Sequence, residues 1–175
     1  MKRFLRSLLL MGMVLSLGLT MIACSAEKDV VGAKNDGGEE EDYHDIPYEW
    51  SGMFKFAEGD HTVKFNKNDG DESILLAFIS AAGSITDMEH HAAHVMEAEA
   101  VDVEKDGSFT AENEYTYKLD LKNETAEFKF TVKTPGEYYL FAEHLPAEFD
   151  MEILSPEGEI LEAGSPTEYE GNHEH

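Results

Sequence analysis

The chain has 175 residues, 42% of them hydrophobic, and sets 37 acidic side chains against 13 basic ones, a formal net charge of −24. Such a surface repels nucleic acid and anionic lipid headgroups and gathers cations instead, over about 10 Å in ordinary salt. The same charge also serves as a plain solubility or salt-adaptation surface, so charge alone does not name a ligand.

Residues 1–23 read as an export signal. Lys2, Arg3 and Arg6 make a basic start, and Phe4 to Ile22 is apolar apart from small or polar interruptions. The segment closes on Met21-Ile22-Ala23-Cys24, which resembles a bacterial lipobox with Met21 where leucine is usual. The resemblance implies a lipid on Cys24, loss of the preceding peptide and anchorage on the extracytoplasmic side of a bacterial membrane. An ordinary secretory signal and a retained membrane helix are the competing readings. Because Cys24 is the only cysteine, the mature domain has no disulfide and no cysteine-based metal or nucleophile site.

Residues 24–46 follow as an acidic, disordered tether. Glu27, Asp29, Asp36 and the run Glu39-Glu40-Glu41-Asp42, spaced by glycines, cannot bury a core. His44 at its end can assist a metal site, but is more simply a solvated histidine.

The folded domain is expected over 47–161. Apolar residues alternate there, as in half-buried strands. Tyr48, Trp50, Phe54 and Phe56 share one parity with Gly52 between them, and His61, Val63 and Phe65 share another face. Asn68-Asp69-Gly70-Asp71 reads as a hairpin turn. It is not an EF-hand loop, since placing Gly70 sixth puts Phe65 first and Leu76 twelfth. The run Ile74-Leu75-Leu76-Ala77-Phe78-Ile79 suits a central strand covered on both faces.

Residues 84–100 interrupt the alternation. Ala92, Ala93, Met88 and Met96 favour a short helix, with Thr86 or Asp87 available as its cap. This stretch holds His90, His91 and His94, three of the chain's eight histidines, between Glu89 and Glu97. Neutral imidazole is the commonest protein ligand for zinc, copper and nickel. In a helix His90 and His94 project from one face and can share an ion; the competing reading is a solvated helix face. Met88 and Met96 would favour copper(I) if they were ligands, but read better as core residues packing the helix onto a sheet.

Strands resume with Tyr115, Tyr117, Leu119 and Leu121, then a turn at Lys122-Asn123, then Phe128, Phe130 and Val132. After Pro135-Gly136 comes a strand over 138–145, then Met151, Ile153 and Leu154 before the turn Pro156-Glu157-Gly158. In the strand 138–145, His144 shares a face with Tyr138, Leu140 and Ala142, while Glu143 shares the other with Tyr139 and Phe141. Pro146 ends the strand, which puts Glu143 and His144 at the sheet's rim, where such folds place functional loops. The competing reading for His144 is a strand-end histidine bonded to a loop carbonyl. The whole is expected to be mainly all-β: an antiparallel β-sandwich of about seven or eight strands with one short helix carrying the histidines. Residues 162–175 read as a polar tail whose His173 and His175 bind metal loosely or simply end the chain.

Two blocks, Tyr48-Glu49-Trp50-Ser51-Gly52 and Tyr139-Leu140-Phe141-Ala142-Glu143-His144-Leu145-Pro146-Ala147-Glu148-Phe149, resemble landmarks of a small β-sandwich domain of exported bacterial proteins found near transition-metal homeostasis systems. The resemblance covers roughly residues 47–160 and implies roles for Glu143, His144 and Glu148. The function expected is a surface-anchored lipoprotein that binds a divalent transition metal, zinc before copper or nickel, for capture, buffering or delivery to a metal transporter or other envelope protein. His90, His91 and His94 are the main candidate ligands, with His144, Glu143 or His61 completing the shell. The alternative is a non-catalytic envelope interaction module with no specific metal. An enzyme is not expected: there is no nucleophile elbow, phosphate-cradling loop or HExxH, because His91 follows His90.

Overall fold

The computed structural model describes residues 46–170 apart from 69 and 123–124. The export signal, Cys24, almost all of the tether, His44, His173 and His175 lie outside the described residues, as do Asp69 and Asn123 of two expected turns. Ten strands and two helices follow in order: β1 Trp50–Phe56, β2 Gly59–Phe65, β3 Ser73–Ser80, α1 Met88–Glu97, β4 Val101–Val103, β5 Ser108–Thr110, β6 Tyr115–Asp120, β7 Ala126–Val132, β8 Gly136–Ala142, α2 Pro146–Phe149, β9 Met151–Leu154 and β10 Gly164–Glu168. The protein is mostly β. Among the described residues no helix is long and apolar enough to cross a membrane.

Two mixed sheets share one core. The larger runs β10-β1-β8-β3-β6-β4 and the smaller β5-β7-β2-β9. Alternation decides which side chains face inward: on β7, Ala126, Phe128, Phe130 and Val132 are buried while Glu127 and Lys129 are exposed. Rings meet across the two sheets, Phe56 with Phe130 at 5.5 Å and Phe78 with Phe130 at 5.3 Å between centroids. The continuous apolar run of β3 is covered twice. Ile74, Leu76 and Phe78 join the shared core, while Ala77 and Ile79 meet α1 on the outer face.

The expectation of seven or eight antiparallel strands needs correction. The seven strands read from alternation are present, and β4, β5 and β10 add to them. β4 pairs parallel with β6, and β5 parallel with β7. β4 and β5 have three residues each, too few to show a period. The segment read as a polar tail contains β10, whose five residues are all exposed and which lies along β1 at the sheet edge. Its backbone ladder holds it there without an apolar face, and Pro166 is tolerated because the strand is an edge.

Among the described residues no strand pairs with its neighbour in sequence. The Asn68 turn is therefore not a hairpin: it carries the chain from β2 in the small sheet to β3 in the large one. Asn68 accepts from the Asp71 amide at 2.9 Å and donates to the Leu121 carbonyl at 3.0 Å. Turn residues mark where a chain reverses, not which sheet it enters next.

β1 lies against β8 with Trp50 opposite Ala142 and Gly52 opposite Leu140. The two sequence blocks 48–52 and 139–149 are thus side by side. Gly52 is required there, since a Cβ would sit 2.7 Å from Cζ2 of the Trp50 ring and 2.9 Å from the Ala163 Cβ.

Candidate metal-binding site

α1 is built as its composition suggests. Asp87 is the N-cap in extended conformation, and its carboxylate accepts from the His90 amide at 3.1 Å. Ala92, Ala93, Val95 and Met96 are buried against Tyr48, Ala77, Ile79 and Phe141. The buried Tyr48 hydroxyl, its pKa raised by desolvation, donates to the Glu89 carbonyl at 2.9 Å. At the other end Thr116 Oγ1 donates to the Val95 carbonyl at 2.9 Å, satisfying one of the last-turn acceptors. With both ends tied and one face committed to the sheet, the helix has a fixed rotation.

That rotation turns His90 and His94 to solvent, one turn apart. Their Nε2 atoms are 3.1 Å from each other and their rings lie 4.5 Å apart at 84°. The other nitrogen of His94, Nδ1, faces the Glu97 carboxylate at 3.5 Å. A carboxylate behind an imidazole, with the remaining nitrogen directed outward, is how metal-binding histidines are commonly oriented. Met96 is buried and Met88 partly so against the sheet, which leaves no thioether beside the pair.

The other predicted ligands lie elsewhere. His91 is rotated off the pair by the helical pitch, and its Nε2 meets Glu114 at 3.4 Å. His61 belongs to the core: its ring stacks on Phe130 at 5.3 Å, Nδ1 lies 3.2 Å from the Gly59 carbonyl, and burial pushes its pKa down. Glu143 extends the β-ladder, its carboxylate accepting from the Leu75 amide at 2.9 Å while its own amide donates to the Leu75 carbonyl. Neither His61 nor Glu143 is placed to complete a shell around α1.

His144 has different neighbours. Its Nδ1 is 3.6 Å from Glu49 Oε2, and Glu148 joins them: one donor atom from each of Glu49, His144 and Glu148 lies within 4.8 Å of the others. None of the α1 histidines belongs to that group. The structure thus forms two separate clusters where one was expected. Glu49 was missed from sequence, although it stands inside the first of the two blocks; only the β1–β8 register brings it to the end of β8.

No family model, curated protein or solved structure matches the chain.

Proposed function

We propose that the chain is a lipid-anchored extracytoplasmic bacterial protein that binds a divalent transition metal through His90 and His94, for capture, buffering or delivery to a transporter or other envelope protein. The observation that carries this is the 3.1 Å between the two Nε2 atoms. Two ligands each about 2.0–2.1 Å from a tetrahedral zinc ion lie roughly 3.3–3.4 Å apart, so the pair needs only a few tenths of an ångström to accept one. One ring donates its Nε2 proton to the other, and a metal ion would take that proton's place. Two protein ligands leave two positions for water or for a receiving protein, which suits exchange better than permanent structural zinc. Zinc or nickel fits the donor set better than copper(I), because Met96 is buried and Met88 packs against the same core cluster. The lipobox-like Cys24 supports the anchor, and the acidic surface supports cation accumulation.

The test uses the full chain in detergent, with His44, His173 and His175 replaced by alanine and metal stripped. Zinc held at a hundred times the dissociation constant of the α1 site should contribute about 2.7 kcal/mol through that site. His90→Ala/His94→Ala should remove this contribution, and His91→Ala should keep it. A double variant stabilised as much as its parent would overturn the proposal.

A further inference from the structure

The geometry points to a second metal-ion site, independent of α1, formed by Glu49, His144 and Glu148 at the rim of the large sheet. Its three donors come from three places: the residue before β1, the residue two beyond β8, and the first turn of α2. Glu49 and Glu148 are held by their backbones and His144 by a ring contact. The Glu49 amide donates to the Ala142 carbonyl at 3.1 Å, and the Glu49 carbonyl accepts from Tyr169 at 2.8 Å. The Glu148 amide donates to the Leu145 carbonyl at 3.0 Å, and the His144 ring lies 5.9 Å from that of the buried Phe149.

Charge and spacing both ask for a cation. Two carboxylates converge on one imidazole. The Glu49 and His144 side chains are only 16% and 17% exposed, so water screens that negative charge poorly. The 3.6 Å between His144 Nδ1 and Glu49 Oε2 is long for a hydrogen bond. It corresponds to an angle of about 120° at an ion roughly 2.0–2.2 Å from each atom. One donor atom of Glu148 lies within 4.8 Å of the other two, so it must close by up to about an ångström to reach the same ion, and its exposed side chain has room to turn. Two oxygens and one nitrogen suit a divalent first-row ion such as zinc or manganese better than copper(I).

The site differs in consequence from the α1 pair. Bound metal would join the start of β1, the end of β8 and α2, so its affinity is coupled to the closure of this corner. The experiment uses full-chain His90→Ala/His94→Ala protein with His44, His173 and His175 also replaced, so failure of the α1 site leaves its outcome untouched. Zinc should bind at one equivalent and slow amide hydrogen exchange over 147–150. Glu49→Gln and Glu148→Gln, which keep side-chain size, and His144→Ala should each weaken binding by at least about 100-fold, since even second-shell losses cost 10–100-fold. Glu143→Gln should bind zinc as the parent does. No zinc bound by the background protein, or equal binding by the two glutamine variants, would overturn the site. If His144→Ala fails to fold, the glutamine variants alone decide.

Discussion

The α1 histidine pair and the Glu49–His144–Glu148 group are assembled by different kinds of order. His90 and His94 meet because a helix places every fourth residue on one face, so the pair exists wherever α1 is helical. Glu49, His144 and Glu148 meet only if β1 pairs with β8 in one register and α2 closes beneath them. The first arrangement is local and exposed; the second is distributed and half-buried. An ion held by the first would leave by exchanging ligands with water, whereas one leaving the second would loosen a corner of the fold. A protein that acquires and releases metal benefits from the first kind, and one that must hold it from the second.

The contrast can be broken by attacking the scaffold of one cluster at a time. Phe149 is fully buried, its ring 6.0 Å from that of Phe65, and its carbonyl accepts from Asn66 and Lys67. Phe149→Ala should cost about 3–5 kcal/mol in urea unfolding and abolish zinc binding at the rim while leaving the α1 pair intact. Loss of both sites together would mean that they are not independent. Asp87→Ala removes the helix cap and should cost about 0.5–2 kcal/mol. It should weaken zinc binding at His90 and His94 severalfold, read by titration of the Glu49→Gln protein, and should leave zinc binding at the rim unchanged, read in the His90→Ala/His94→Ala protein.

Smaller effects sharpen the picture. Glu114→Gln removes the partly exposed partner of His91 and should cost at most about 1 kcal/mol, with zinc binding unchanged at both clusters. A fall in affinity would bring His91 back as a ligand. His61→Leu should have the smallest effect near neutrality and show itself on acidification. In the unfolded chain a histidine takes up a proton near pH 6.5, whereas burial lowers the pKa of His61 in the fold. The unfolded state then binds more protons, so stability falls as pH drops from about 6.5 toward the depressed folded value. The variant should lose less stability than the parent between pH 7 and pH 5, compared by urea midpoints. Equal losses would place the acid sensitivity elsewhere.

Legibility followed the range of the interactions. The period-two pattern of 126–132 and the doubly apolar run of 74–79 each identified a strand and its burial, because a strand's faces are fixed by its own residues. β10 gave no such signal, since it is held by backbone bonds alone. α2 was hidden behind Pro146, which read as the end of a strand over 138–145; that strand ends at Ala142, and Pro146 opens the helix as its first residue. His61 carried the same chemical promise as His94, and nothing in the residues around it announced that its ring would stack inside an aromatic core.

The sequence by itself determined the predominance of strands, the helix over the histidine cluster, a cap at Thr86 or Asp87, and the pairing of His90 with His94. All of these depend on residues within about one turn or one strand of each other. The tertiary structure alone decided that no consecutive strands pair, that His61 is interior, that Glu143 is tied to the ladder, and that Glu49 reaches His144. Those outcomes depend on register between distant strands, where a slip of one residue turns every side chain to the opposite face.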